Sequence, residues 1–232
     1  MNITDINNQL NNKAIEDRIV DMCNMFPEKV VFTTSFGMED QVITDIIFKH
    51  NFPVKVITLD TGRMFEETYK VFSRTRERYG KNIDVYYPDT KAVEKLMTTK
   101  GPFSFYESVE NRKECCNIRK VEPLKRALKG HKCWITGIRR EQSEERRHMQ
   151  EIEWDETNNL YKMSPLYKWT LDDVEKYIKD NNVPYNTLYD KGFVSIGCAP
   201  CTRAVQPGDD FRAGRWWWEH NEAKECGLHI KE

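Results

Sequence analysis

Four of the seven cysteines in this 232-residue chain occur in two close pairs that could bind a metal. Cys115 and Cys116 are adjacent, and Cys198 and Cys201 form a C-x-x-C motif about eighty residues later. Two pairs of thiolates can hold zinc or an iron–sulfur cluster. Adjacent side chains on a helix diverge by about 100°. Both would have to strain to reach one tetrahedral ion, whereas a cubic cluster has iron atoms at separate corners that divergent side chains can reach. The spacing therefore favours an iron–sulfur cluster over zinc, with a disulfide within C-x-x-C as a third interpretation.

Cys226 stands apart from these pairs, in the segment Lys-Glu-Cys-Gly-Leu-His that ends at His229. A cysteine with Lys and His close in sequence can have a depressed thiol pKa and act as a nucleophile. Taken alone, a dispensable thiol is the simpler interpretation. Cys23 lies in a predicted helix and Cys133 enters a predicted strand, so we expect both to be buried as small apolar side chains.

Three turns that follow predicted strands carry residues suited to binding an anion. They are Ser35-Phe36-Gly37, Asp60-Thr61-Gly62-Arg63 and Thr136-Gly137-Ile138-Arg139-Arg140. In open parallel sheets, ligands bind beyond the carboxyl ends of the strands, where backbone N–H groups can face them. Arg63 and Arg139 could add charge-assisted hydrogen bonds to a phosphate. Each turn alone is equally typical of an ordinary connection, and the G-x-G-x-x-G and G-x-x-x-x-G-K-[ST] motifs are absent from the sequence.

The apolar patterning predicts strands that alternate with helices. Strands are predicted over 29–34, 54–59, 82–87 and 133–137, and helices within the first thirty residues and over 39–49, 65–79, 91–97, 116–128 and 170–181. After Gly137 the alternation stops, with a charged run and then a polar stretch over 151–160. Alternating elements imply right-handed parallel crossovers and an α/β fold, an open, mostly parallel sheet with helices on both faces.

Two domains are predicted. Residues 1–203 form the α/β nucleotide- and cluster-binding domain, and residues 204–232 form a flexible C-terminal arm that carries Cys226. The arm contains Gly208, Gly214 and Gly227, which favour mobility.

The composition limits the classes of partner. Lys and Arg number 36 against 37 Asp and Glu, for a net charge of −1, so the chain has no overall attraction to nucleic acid. No apolar run approaches the ~20 residues that span a bilayer. The N-terminal MNITDINNQL lacks the basic and apolar regions of a secretory signal. We expect a cytoplasmic protein without membrane or nucleic-acid partners, in which disulfides are disfavoured.

Seven short motifs follow one another in a recognisable order. They are Ser-Phe-Gly-Met-Glu-Asp (35–40), Leu-Asp-Thr-Gly-Arg (59–63), Cys-Cys-Asn-Ile-Arg-Lys-Val-Glu-Pro-Leu (115–124), Thr-Gly-Ile-Arg-Arg-Glu-Gln-Ser (136–143), Cys-Ala-Pro-Cys-Thr-Arg (198–203), Gly-Arg-Trp-Trp-Trp-Glu (214–219) and Glu-Cys-Gly-Leu-His (225–229). In these motifs the chain resembles the assimilatory adenylyl-sulfate reductases of the adenosine 5′-phosphosulfate (APS)/3′-phosphoadenosine 5′-phosphosulfate (PAPS) reductase family, over about residues 30–229.

The resemblance implies a fold related to the adenine-nucleotide α-hydrolases and a two-step reaction. The Cys226 thiolate attacks the sulfate sulfur of APS and becomes an S-sulfonate, which a thioredoxin- or glutaredoxin-type dithiol reduces to release sulfite. The implied cations around the phosphosulfate are Lys120, Arg212, Arg215 and His229, with Cys226, Lys120 and His229 as the catalytic set. The implied nucleotide-binding residues are Ser35, Gly37, Gly62, Arg63 and Arg139.

The resemblance also assigns the cysteine pairs. Members with all four cysteines carry a 4Fe–4S cluster, here on Cys115, Cys116, Cys198 and Cys201, and use APS rather than PAPS. We expect this cluster to have a structural and electrostatic role, because Lys120 follows the first pair on the same helix and could be aimed at the sulfate. The Trp216-Trp217-Trp218 run is expected to pack the arm onto the body of the protein or to form a subunit interface. The second interpretation would make the protein a homo-oligomer.

Three alternatives remain at this point. One is a PAPS or dual APS/PAPS reductase. Another is an ATP pyrophosphatase of the related fold, which Phe36 and Glu39 disfavour because a pyrophosphate loop needs small neutral residues. The third is a Cys₄ zinc module that binds nucleic acid, which the balanced charge disfavours.

Overall fold

The strands form one six-stranded sheet, which confirms the predicted α/β fold class. The computed structural model describes residues 3–10 and 13–219. The strands are Val30–Thr34 (β1), Lys55–Leu59 (β2), Asp84–Tyr86 (β3), Cys133–Ile135 (β4), Ile152–Asp155 (β5) and Leu160–Met163 (β6). The sheet order is β3-β2-β1-β4-β6-β5. β1 is parallel to β2 and β4, β4 is parallel to β6, and β5 is antiparallel to β6.

Helices connect these strands, most of them at the predicted places. The helices in the described ranges are Ile3–Leu10 (α1), Ile15–Met25 (α2), Met38–Lys49 (α3), Glu66–Tyr79 (α4), Thr90–Lys100 (α5), Val109–Cys116 (α6), Glu122–Leu128 (α7) and Leu171–Asp180 (α8). Thr170 caps α8 in a capping box with Asp173, as the sequence predicts. Over the described residues, none of these helices combines the length and apolarity needed to cross a membrane.

The chain divides into two compact units. The first contains the chain up to Thr58, Glu67–Asp84 and Gly130–Thr187. The second contains Leu59–Glu66, Val85–Lys129 and the chain from Leu188 onward.

The first unit has an apolar core around β1 and β4. Phe32 and Ile135 are fully buried, and so is nearly every residue of α3. Strands buried on both faces carry continuous apolar runs, which explains why the central strands are recognisable in the sequence.

The β5–β6 hairpin is absent from the sequence prediction, which treats 151–160 as a polar stretch. In this hairpin Ile152 pairs with Met163, and Glu153 pairs with Lys162. Lys162 is buried, with its ammonium nitrogen 5.3 Å from the centre of the Trp134 ring. A buried lysine breaks the apolar–polar alternation that identifies a strand.

The region before β4 also differs from the prediction of one helix over 116–128. Here α6 ends at Cys116, a π-helical turn spans Asn117–Val121, and α7 follows. The Glu122 N–H donates to the Asn117 carbonyl, five residues back. Ser108 caps α6 by accepting from the Asn111 N–H, so a helix begins where the sequence predicts an irregular stretch.

Candidate active site

The turn after β1 is held by one buried carboxylate. Asp40 Oδ2 accepts from the Ser35 N–H at 2.6 Å and from the Ser35 hydroxyl at 2.7 Å. Phe36 has a left-handed φ of 61° and packs its ring 5.0 Å from that of Phe72. Gly37 then begins α3 as its N-cap. The two predicted nucleotide-binding residues of this turn, Ser35 and Gly37, therefore lie together at a helix N-terminus, the type of place where anions bind.

The end of β4 contacts the same turn through a glycine. A Cβ on Gly137 would lie 2.2 Å from Asp40 Oδ1 and 3.2 Å from Glu39 Cβ. A side chain at this position would have to displace the Asp40 carboxylate that holds the turn. This close approach explains the glycine of the Thr-Gly-Ile-Arg motif.

Arg139 lies buried in the first unit, paired with an acid of α3. Its Nε donates to Glu39 Oε1 at 2.8 Å, and the guanidinium is only 2% exposed. Gln142 Nε2 donates to the same oxygen at 2.9 Å, and Gln142 Oε1 accepts from the Arg139 N–H at 3.1 Å. The charge of Arg139 is thus balanced inside the unit, and its predicted contact with the nucleotide stays a prediction.

Burial raises the pKa of the Asp40 carboxyl to about 6, although hydrogen bonds from Ser35 act in the opposite direction. The folded protein therefore binds this proton more tightly than the unfolded chain does. The resulting stability is complete below the ordinary carboxyl pKa of about 3.8 and is lost as the pH rises through 6.

Asp40→Asn should remove this pH dependence. Between pH 4 and pH 7 we expect the free energy of unfolding of the wild type to fall by about 2 kcal/mol relative to that of the variant. Urea unfolding of both proteins at several pH values measures the difference. Parallel pH profiles for the two proteins would contradict the assignment.

The four paired cysteines meet in the second unit, in one apolar cluster. Cys115, Cys198 and Cys201 are buried there and Cys116 is half-buried, and Trp216 and Phe105 pack among them. We call this group the cysteine cluster. Among the residues described, no three His, Cys, Asp or Glu side chains already converge as ligands of one metal ion. The predicted proximity of the two pairs is nevertheless what the fold produces.

Cationic groups set the thiol chemistry of this cluster. Burial raises the pKa of Cys115 and raises that of Cys201 to about 12. Burial also opposes ionisation of Cys198, yet the positive charges of Lys120 and other cations, with a hydrogen bond to Thr61, bring its pKa below the ordinary value. Metal ligation requires thiolates, and the charges needed to stabilise them are present.

Three buried N–H donors around the cysteine cluster lack acceptors within the described chain. They are Arg119 Nε, Arg215 Nε and Trp216 Nε1. Buried donors without partners are costly, and native structures rarely leave them so. An iron–sulfur cluster presents sulfur acceptors, so the residues present fit such a group. Four cysteine thiolates are also a ligand set that binds zinc.

Lys120 lies on the π-helical turn that follows the first cysteine pair. Its charge helps to lower the pKa of Cys198 and opposes the larger effect of burial, which raises the pKa of Cys201. π-turns occur often at functional sites because they re-aim side chains of a helix. The role predicted for Lys120 beside the cysteines stays a prediction.

The turn after β2 contacts the cysteine cluster through Thr61. The Cys198 thiol donates to Thr61 Oγ1 at 3.3 Å, and Arg119 Nη1 donates to the Thr61 carbonyl at 2.6 Å. Gly62 adopts a left-handed φ of 69°, and its N–H donates to Asp60 Oδ1 at 2.8 Å.

Arg63, in the same turn, is turned toward the second unit's aromatic residues. Its Nη2 donates to the Pro102 carbonyl at 2.7 Å, and its Cζ lies 4.9 Å from the centre of the Phe105 ring. Its charge also acts to lower the pKa of Cys115 against the larger effect of burial.

Arg212 and Arg215 both approach the ring of Trp216, at 5.8 Å and 4.8 Å from Cζ to the ring centre. A Cβ on Gly197 would lie 2.3 Å from Arg215 Nη2, so this glycine makes room for the guanidinium. Trp216 is 1% exposed, as expected if the tryptophan run packs the beginning of the arm.

The structure adds residues that the sequence analysis does not single out. Arg112 and Glu219 form a buried ion pair in the second unit, and Arg119 contacts the turn after β2. Cys226 and His229 lie outside the described residues, so their predicted roles stay predictions. The predicted arm begins with described residues, 204–219, and continues beyond them.

Comparison with known proteins points to one family. The family model of the phosphoadenosine phosphosulfate reductase domain matches residues 29–204. A protein of Allochromatium vinosum named adenosine 5′-phosphosulfate reductase is 47% identical over 205 residues, 88% of this chain and 80% of that one. Its namesake from Burkholderia cepacia is 49% identical over 203 residues, with 88% and 81% covered.

Solved structures agree on the fold. A phosphoadenylyl-sulfate (PAPS) reductase from Candida auris, in a phosphate complex, is 31% identical with a TM-score of 0.73, covering 88% of this chain and 96% of that one. An FMN adenylyltransferase from Candida glabrata with FAD and pyrophosphate has a TM-score of 0.54 at 17% identity, covering 92% of this chain and 79% of its own. The latter likeness concerns the fold alone.

Proposed function

Because this chain belongs to the phosphoadenosine phosphosulfate reductase domain family, we propose that it reduces adenosine 5′-phosphosulfate to sulfite and AMP. The observation that carries the proposal is the cysteine cluster, with Lys120 beside its second pair. Relatives 47% and 49% identical bear the name adenosine 5′-phosphosulfate reductase, which supports the same substrate class.

We assign a 4Fe–4S cluster to Cys115, Cys116, Cys198 and Cys201. The unpartnered N–H donors of Arg119, Arg215 and Trp216 support this assignment. When bound, the cluster supplies a fixed electrostatic and structural centre rather than an electron relay. The chain's own residues carry the reaction.

The first step is a transfer of the sulfuryl group to Cys226. The thiolate attacks the sulfate sulfur, an S–S bond forms, and the S–O bond to the phosphate breaks. The electron pair of that bond leaves with AMP, a stabilised anion that needs no proton from an acid. The enzyme is left with an S-sulfonate on Cys226.

The second step needs two electrons from a dithiol of the thioredoxin or glutaredoxin type. One thiolate of the reductant attacks the Cys226 sulfur and releases sulfite, and its second thiol then displaces Cys226 from the mixed disulfide. The dithiol ends as a disulfide, and the enzyme thiol is restored. We place this reaction in the cytoplasm, without nucleic acid, in a protein that could be a homo-oligomer.

Charge and orientation are supplied by the remaining residues. Lys120, Arg212, Arg215 and His229 balance the phosphosulfate as its charge shifts toward the leaving phosphate. The residues that the family resemblance assigns to nucleotide binding are Ser35, Gly37 and Arg139 in the first unit, and Gly62 and Arg63 in the second.

A second candidate is reduction of the 3′-phosphorylated compound. The 31% identical PAPS reductase from Candida auris favours it. The four cysteines favour APS, and comparison of kcat/KM for the two substrates decides between them. The colour of the pure protein tests the zinc alternative, since a 4Fe–4S cluster is brown and zinc is colourless.

Intact-mass analysis tests the reaction itself. After incubation of the holoprotein with APS and no reductant, we expect a gain of one SO₃ unit on the peptide that contains Cys226. Addition of a dithiol should remove the gain and release sulfite. A gain at another residue, or no gain, contradicts the proposal.

A further inference from the structure

A buried ion pair joins the helix of the first cysteine pair to the last described residue of the chain. Arg112 on α6 donates from Nε to Glu219 Oε1 at 2.8 Å and from Nη2 to Oε2 at 2.9 Å. The two side chains are 3% and 5% exposed. Two parallel hydrogen bonds fix the direction of the carboxylate as well as its distance.

The same guanidinium contacts the ring of Trp216. Arg112 Cζ lies 4.6 Å from the ring centre, and the Glu219 N–H donates to the Trp216 carbonyl at 2.9 Å. One side chain of α6 therefore holds both ends of the segment 216–219. On that helix, Arg112 precedes Cys115 by three residues and Cys116 by four, a spacing that makes their side chains neighbours.

Stability alone does not account for a buried ion pair. Apolar residues of the same size often stabilise a fold as well, because desolvation offsets much of the attraction between the charges. A doubly hydrogen-bonded pair adds a fixed position for the chain that carries it. The position of Glu219 matters because Cys226 follows it by only seven residues.

We propose that Arg112 and Glu219 are positioning residues, which anchor the C-terminal arm on the cysteine-bearing helix and fix the point from which the chain leads to Cys226. The inference rests on the proposed function, in which Cys226 is the nucleophile. Seven residues span at most about 25 Å. Without the ion pair, the nearest remaining anchor is Trp216, which is buried in the cysteine cluster, and the chain from Trp216 to Cys226 has ten residues. The effective concentration of a tethered group falls roughly as the −3/2 power of tether length, which gives a loss of about 1.7-fold for ten residues against seven.

Single-turnover sulfonation of Cys226 measures this effect. The holoprotein is mixed with saturating APS without reductant, quenched at intervals, and the S-sulfonate is quantified by mass. Glu219→Gln should slow this step about 1.7-fold, with the iron content and the affinity for AMP unchanged. Glu114→Gln is the matched control and should leave the rate unchanged, because Glu114 lies on the same helix as Arg112 but forms an exposed ion pair, with Lys100 of α5.

Two insertions test the anchor without touching the ion pair. Six Gly-Ser residues between Glu219 and His220 lengthen the anchored tether and should slow sulfonation about 2.5-fold. The same insertion between Gly208 and Asp209, in an exposed turn before the anchor, should have no effect.

The outcomes separate this inference from the proposed function. No sulfonate on Cys226 in the wild type would defeat both. Normal sulfonation in wild type and in Glu219→Gln would defeat the anchor alone, and so would equal effects of the two insertions. Loss of iron in proportion to rate in Glu219→Gln would make the pair a support of the cysteine cluster and also overturn the anchor.

Discussion

Cys226→Ser is expected to abolish sulfite release from APS, with a loss of about 10⁴-fold or more. A thiol ionises near neutral pH when cations are close, whereas a serine hydroxyl does not, so the variant lacks the anion that attacks sulfur. Serine is also smaller, and an O-sulfonate could not be resolved by a dithiol, because no S–S bond would exist to exchange. Sulfite release with APS and a thioredoxin-type reductant measures the loss.

Cys23→Ala is the matched control for removal of a thiol. Cys23 is buried in α2 of the first unit, and burial raises its pKa to about 11, which keeps it protonated. This variant should keep full activity. Substantial sulfite release by Cys226→Ser, with iron content and APS affinity intact, would remove Cys226 from the mechanism and leave the family assignment in place.

The central sheet is predictable because its strands are buried on both faces. β1 begins with three apolar residues and β4 is apolar throughout, and so both are predictable as strands from the sequence. The β5–β6 hairpin is not predictable in this way. Lys162 is inward-facing against Trp134, and the sequence alone does not reveal that an aromatic ring will accept its ammonium.

The candidate site also has a part that the sequence predicts and a part that it does not. The four cysteines and Lys120 are predictable because their spacing is local within each motif, and the fold brings the two pairs together. The Arg112–Glu219 pair joins residues 107 apart in sequence. Nothing in either segment marks its partner, since each residue alone resembles an ordinary surface charge.

The π-helical turn is a further feature that the apolar pattern hides. A continuous helix over 116–128 places Lys120 one turn after Cys116, but the wider turn over Asn117–Val121 changes its direction. The charge of Lys120 acts on Cys198 and Cys201, which belong to the other motif. The link between the two cysteine pairs therefore passes through a side chain whose aim only the structure gives.

Lys120→Ala should lower kcat/KM for APS by about 10²–10³-fold, the usual cost of removing one preorganised charge from a developing anion. Lys120 is a half-buried residue. A charge in a partly dehydrated site interacts more strongly with an anion than the same charge does in water. AMP lacks the sulfuryl group that Lys120 is proposed to face. The affinity for AMP should therefore be unchanged, while turnover falls.

Iron content decides between two roles for this lysine. If Lys120 acts on the transferring group, Lys120→Ala retains its iron, and Lys120→Arg recovers part of the rate because it restores the charge. If it serves only to stabilise the thiolates of Cys198 and Cys201, iron and activity fall together. Lys125→Ala, an exposed change on α7, is the control and should alter neither. Unchanged turnover in an iron-loaded Lys120→Ala protein would show that the anion is balanced by other cations, and the electrostatic role proposed for the cysteine-bearing helix would be wrong.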